Sequence, residues 1–372
     1  MDWRSSVALS AVAVAVAVAG AVALGVDAGG SGFPASSDAT PPQAEGNPTK
    51  SARNATPVRP VASVPFSRLT PDAAIPVELE PGAALSSDAV LVPQRLSSAI
   101  VRIPAGNNRP DEPIAVGTPP CGSLVILPAT AKAGDRGEAA DAAPGAEVWV
   151  PLCDGGAIAR VDLHHRNISA TVPLPIVAPK GTLGVATGSV WVLTDTKGVI
   201  SRIDPATNLV VAEAYVAARP FAVAAKDDVV WVTSEEGNTL TRVDGHTNAI
   251  VETITVGPRP GPLAIGEDAV WTLNREDGSV SRVDLKSNKV VVTIAVDESV
   301  ADGAIAVGEG AVWLSARGAP LIRIDPRTNR VTHRFSGEGG GMVLAGHGSV
   351  WVAAGPTLTW RIDPKLVAAI RP

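Results

Sequence analysis

Three cations stand at a fixed interval, each followed by Gly or Pro: Lys180-Gly181, Arg219-Pro220 and Arg259-Pro260. The spacings are 39 and 40 residues. Drawn to one place, such groups would grip an anionic ligand or the carboxylates of a peptide. Glu235, Arg275, Asp302 and Arg317 fall at related points of the same interval. Glu235 and Asp302 would neutralise part of the positive charge, and Arg275 and Arg317 would add to it. The plain alternative is a mixed, solvated rim. The other reactive side chains are few. There are five His and two Cys, Cys121 and Cys153. No Cys-x-x-Cys pair, haem-attachment Cys-x-x-Cys-His or quinoprotein signature occurs, so no cofactor and no metal site is expected.

The interval itself comes from a repeat. The phrase Gly-x-Val-Trp-Val followed by Arg-Ile-Asp-Pro-x-Thr-Asn is fullest at Gly188–Val192 and Ser201–Asn208. Its Trp is filled by Trp149, Trp191, Trp231, Trp271, Trp313 and Trp351, at steps of 42, 40, 40, 42 and 38 residues. Its Arg is filled by Arg160, Arg202, Arg242, Arg282, Arg323 and Arg361. A period of this length marks the four-stranded blade of a β-propeller. A degenerate copy precedes these six: Leu91 and Arg102 stand 11 residues apart, as Trp271 and Arg282 do. The fold class expected is therefore all-β, a seven-bladed β-propeller of four-stranded antiparallel blades over residues 72–372. An Ala/Gly/Asp-rich insert falls at 129–146 in blade 2. Leu366–Ile370 reads as the outer strand of the last blade.

Each repeat supplies four strand signals. In the fifth copy they are Leu263–Ile265, Ala269–Leu273, Ser279–Val283 and Val290–Val296. The strands are apolar on both faces, as in Val190-Trp191-Val192, which fits sheets packed face to face. The repeated Trp is read as core rather than as a ligand platform. The Arg-x-Asp pair is read as a recurring bridge or turn anchor. In the Asp-Pro-x-Thr-Asn turn, Asp204 accepts a backbone N–H, Pro205 presets φ and Asn208 tolerates a left-handed conformation. Cys121 precedes the inner strand of blade 2 and Cys153 follows its Trp strand. An antiparallel hairpin puts those two points side by side, so a disulfide is expected.

The N-terminus belongs to another class. Residues 7–25 are uncharged, mostly Ala and Val, and Arg4 precedes them. Residues 1–26 read as a signal peptide or an uncleaved signal anchor, and residues 27–70 as a disordered linker rich in Pro, Ala, Ser and Gly. The propeller would then lie outside the cytoplasm: periplasmic, secreted, or anchored and facing outward. Any membrane contact would run through the N-terminal segment alone. The net charge is −6, and residues 71–372 carry 26 Lys/Arg against 33 Asp/Glu, so no nucleic-acid partner is expected.

The repeat phrase, with its Ile-x-Val-Gly continuation, resembles the YVTN-repeat, YncE-like propellers and the wider streptogramin (virginiamycin B) lyase-like superfamily. The resemblance covers about 80% of the chain. It implies the propeller fold and, on the lyase side, a His acid/base with carboxylate-held Mg²⁺ at one mouth of the ring. Those lyases carry Trp-Phe-Thr-Glu in their blades. Here the Trp is followed by Val192-Leu193, Val232-Thr233, Thr272-Leu273, Leu314-Ser315 and Val352-Ala353. His164, His165, His246 and His347 fall in turns at the opposite end from the mouth, and His333 falls in an outer strand. With no base at the mouth, the leading expectation is an exported binding or interaction module. Its partner would be a protein, a peptide or a small anionic ligand. A metal-dependent lyase or hydrolase is the alternative.

Overall fold

The structure, a computed structural model, describes residues 61–127, 146–176 and 183–371. Seven antiparallel sheets follow one another along the chain, and each is one blade. Blade 4 consists of Pro220–Lys226, Val229–Ser234, Thr239–Asp244 and Ile250–Thr255. Blade 5 consists of Pro260–Gly266, Ala269–Asn274, Ser279–Asp284 and Val290–Ile294, close to the four strands read from its sequence. The degenerate first copy forms a full blade as well. In it Leu91 pairs with Arg102, as Trp271 pairs with Arg282 in blade 5.

The repeated Trp residues are the core, at 0–1% exposure in all six copies. Each sits mid-strand against Val, Ile and Leu of the adjoining blade, as Trp231 does against Val270 and Val283 of blade 5. The Arg paired with each Trp lays its guanidinium over the indole, with Cζ 4.9–6.0 Å from the ring centroid. In blades 2, 3 and 5 the same Arg then reaches forward to the next blade. Arg282 donates to the Pro326 carbonyl at 2.6 Å and to Asn329 Oδ1 at 2.7 Å. Arg160 and Arg202 make the matching bonds to Asn208 and Asn248. Those Asn residues are held at φ near +60°, the left-handed turn that the Asp-x-x-x-Asn spacing implies. The Asp residues close the turn on themselves: Asp204 accepts the Ala206 N–H at 2.9 Å. The recurring Arg and Asp are therefore scaffold.

Two expectations about the ends of the ring are corrected. Leu366–Ile370 is not a strand, because Pro364–Ala369 is a short helix. Asp363 caps it by accepting the Lys365 N–H at 2.8 Å, and Pro364 opens its first turn. Asp-Pro is a helix start signal, and here it overrides the strand reading. The outer strand of blade 7 is instead Ala73–Ile75, paired antiparallel with Leu358–Ile362. The linker drawn to residue 70 also overruns the fold. Ser63–Pro65 adds a fifth strand to blade 6, parallel to Arg330–Ser336. Phe66 follows it, 4% exposed and stacked on Trp360 at 4.7 Å. A strap over residues 63–75 thus spans blades 6 and 7, and the buried Val367 of the C-terminal helix packs beneath it. Of the expected linker, residues 27–60 lie outside the described residues, as do the signal segment 1–26 and all but the last residue of the insert 129–146.

Candidate functional site at the mouth of the ring

Two positions recur at the same end of the blades, the lead-in of blade 3 lying outside the described residues. One is the lead-in residue just before the inner strand. The other is the hairpin residue four positions after the Trp, or after Leu91 in blade 1. The hairpin positions are Arg95, Cys153, Asp195, Glu235, Arg275, Arg317 and Gly355. In blades 4 and 5 a backbone bond ties the two positions together. The Glu235 N–H donates to the Arg219 carbonyl at 3.0 Å, and the Arg275 N–H donates to the Arg259 carbonyl at 2.8 Å. Both lead-in residues are held in the left-handed region, Arg219 at φ 53° and Arg259 at φ 49°. The Arg259 N–H is held by Asn238 Oδ1 at 2.8 Å, and the Arg219 N–H by the Thr196 carbonyl at 2.8 Å. The scaffold therefore fixes where each side chain of this pair begins.

In blade 2 the same two positions carry the disulfide. Cys121 and Cys153 are bonded, with Cα atoms 5.7 Å apart, as the hairpin argument implies. In blade 1 the pair is Glu80 and Arg95. Burial pushes the Glu80 carboxyl above its ordinary value, although the Arg95 N–H donates to it at 3.1 Å and pulls the other way.

The charged pairs of blades 4, 5 and 6 run into one another. Glu235 is the hub, with its side chain 10% exposed. Arg275 of blade 5 binds Glu235 Oε1 most closely. Arg219 reaches Oε2 at 3.3 Å, and Arg259 reaches Oε1 at 3.6 Å. Arg275 then spans to Asp302 of blade 6 at 2.9 Å. Its guanidinium lies over the Phe221 ring at 4.6 Å. Gly261 makes this path possible, because a Cβ there would sit 2.3 Å from Arg275 Cδ. Arg219 and Arg259 remain 64% and 48% exposed while Glu235 is spent on Arg275. Three guanidiniums thus face two carboxylates, and the two outer guanidiniums face water.

Five of the seven residues singled out as mouth ligands are brought together here: Arg219, Glu235, Arg259, Arg275 and Asp302. Lys180 lies outside the described residues. Arg317 stays apart from the cluster. It lines a cavity of about 940 Å³ over blades 6, 7 and 1, together with Asp302, Glu78 and Glu338. Sequence reasoning missed Glu78, Glu338 and the Phe221 platform. Phe221 follows Arg219 by two residues, so its place next to a lead-in cation was readable. Glu78 and Glu338 sit in irregular stretches with no repeat partner to number them by. The central channel beneath is narrow and apolar, a space of about 210 Å³ lined by Ala222, Val223, Leu263, Ile305 and Val343.

The His residues stand away from this end. His165 bonds Asp162 at 2.8 Å and His246 faces Asp228 at 3.3 Å, both at turns on the opposite end of their blades. His333 is buried in blade 6, with Nε2 2.9 Å from the Ile370 carbonyl. Among the described residues, no group of three or more His, Cys, Asp or Glu side chains is placed to hold a metal ion.

The sequence matches no protein-family model and no curated protein. Its fold does match solved structures. A streptogramin B lyase aligns with a TM-score of 0.59 at 16% identity, covering 77% of this chain and 93% of that one. The virginiamycin B lyase of Staphylococcus aureus aligns at 0.60 and 15% identity, covering 78% and 97%. Hydrazine synthase of Kuenenia stuttgartiensis aligns at 0.62 and 10% identity, covering 82% and 100%. The chain therefore has a streptogramin lyase-like propeller fold. At these identities the likeness is one of fold, and one fold hosts unrelated activities.

Proposed function

We propose that the protein is an exported binding module that captures an anionic ligand, or carboxylates of a peptide, at the mouth of the ring. One observation carries this reading. Arg219 and Arg259 occupy the same position of consecutive blades and share one strained backbone conformation, and both converge on Glu235 with their guanidiniums still open to solvent. A guanidinium pair that starts from fixed backbone positions and stays open to solvent is suited to bidentate carboxylate binding. Export is supported by the Cys121–Cys153 disulfide, a bond that persists in oxidising compartments, and by the uncharged run at residues 7–25. A crystal soaked with triglutamate tests the site. Density between Arg219 and Arg259 is the expected result, and density elsewhere or none rejects it.

The alternative is metal-dependent lyase or hydrolase chemistry, favoured by the fold likeness to virginiamycin B lyase. It requires a divalent ion held by mouth carboxylates. Metal analysis of the purified protein, together with any EDTA-sensitive activity, separates the two readings.

A further inference from the structure

The arginine cluster and the apolar channel share two strands. Arg219 and Arg259 lead into the inner strands of blades 4 and 5, Pro220–Lys226 and Pro260–Gly266. Three and four residues on from each, Ala222, Val223, Pro262 and Leu263 line the central space of about 210 Å³. At about 3.3 Å per residue, that wall starts about 10 Å beyond each lead-in. Arg275 spans the interval. Its guanidinium lies over the Phe221 ring at 4.6 Å, and its Cδ is 2.3 Å from the Cβ position of Gly261. Phe221 and Gly261 directly precede Ala222 and Pro262, so the cations run without a break into the apolar wall. The far side of the channel is Ile305 of blade 6 and Val343 of blade 7. Among the described lining residues, Ser123 alone carries a hydroxyl, and none carries a charge. Apolar cavities of about 150 Å³ stay dry and take up benzene. A space of about 210 Å³ walled by Ala, Val, Leu and Ile suits a phenyl or short alkyl group in the same way.

We propose that the channel is the lower half of the mouth site, and that the ligand is a carboxylate with an aryl or alkyl tail. The head lies on Arg219 and Arg259, and the tail enters between Val223, Leu263, Ile305 and Val343. The inference rests on the arginine cluster being the binding site and narrows what that site takes. Charge selects the head, because guanidiniums donate to carboxylate oxygens and repel a cation. Apolar burial selects the tail, at about fourfold in affinity per buried methylene.

The test is calorimetric titration of the full chain with acetate, octanoate and octylammonium. Octanoate is expected to bind saturably, at least tenfold tighter than acetate, which lacks the tail, and than octylammonium, which reverses the head. Octanoate no tighter than acetate overturns the proposal, and so does octylammonium equal to octanoate. Ala304→Phe places a ring in the channel wall and leaves the arginines alone. It should cut octanoate affinity at least tenfold and leave triglutamate affinity unchanged, and unchanged octanoate affinity counts against the channel. A wild-type crystal soaked with 4-phenylbutyrate needs no variant: density for the ring is expected between Leu263 and Val343, and a ring bound elsewhere or not at all overturns the proposal. Triglutamate binding without an octanoate advantage removes the channel and leaves the arginine site standing. Failure of both ligands removes both.

Discussion

The guanidinium of Arg361, in the last blade, donates to Asn108 Oδ1 of the first blade at 2.8 Å across 253 residues of chain. It also donates to the Ala105 carbonyl. This is the bond that Arg282 makes to Asn329 in the middle of the ring, repeated at the seam. Ring closure thus reuses the staple between neighbouring blades, and the strap at residues 63–75 adds a second closure from outside.

Arg361→Ala should destabilise the fold by about 2 kcal/mol, the scale of a charge-assisted hydrogen bond left unmade. Arg242→Ala is the control. Arg242 Nε and Asn288 Oδ1 are both buried without partners, so the staple is not made at that interface. Denaturant unfolding should show a clearly smaller loss for Arg242→Ala than for Arg361→Ala.

Trp231→Ala empties a site that is 1% exposed. Removing an aromatic core side chain costs about 3–5 kcal/mol. The measured midpoint should drop accordingly, while triglutamate affinity of the folded fraction stays the same, since the Trp takes no part in the mouth.

The disulfide closes a long loop, its Cys positions standing 32 apart in sequence. A Cys121→Ser/Cys153→Ser variant should lose about 3–4 kcal/mol by the chain-entropy estimate. Thiol titration of the wild type, denatured without reductant, should find no free thiols. Two titratable thiols would contradict the bond.

Burial pushes the His333 imidazole below its ordinary value, with Arg323 adding to the effect and the Ile370 bond opposing it. The unfolded imidazole takes up a proton below about 6.5, and the folded one resists. The unfolded state then binds more protons, so this contribution to stability is full above about pH 6.5 and is lost as pH falls through the lower folded value. Melting temperatures between pH 7.5 and 5.5 should decline more in the wild type than in His333→Gln.

The sequence shows the ring because its scaffold repeats. Trp, Arg, Asp and Asn recur at fixed spacing, and each recurrence is a physical demand of blade packing, so seven blades and their register can be read directly. The strap that adds the second closure was hidden because it does not repeat. Ala73–Ile75 and Ser63–Pro65 are short strands with no periodic partner, and the Asp363-Pro364 cap was outvoted by the apolar residues after it. The mouth was half legible. Counting four residues on from each Trp finds Glu235, Arg275 and Arg317, but residue type alone does not show that Glu235 is the hub on which Arg219, Arg259 and Arg275 converge, or that Arg317 turns away to the acidic cavity.

The most direct test of the binding account is calorimetric titration of triglutamate into the wild type and an Arg219→Glu/Arg259→Glu variant, at about 50 and 200 mM salt, where screening of exposed charges differs. The account predicts saturable binding to the wild type that weakens with salt, and a loss of at least tenfold in a variant whose melting temperature is unchanged. Equal affinity of the two proteins for triglutamate would contradict it.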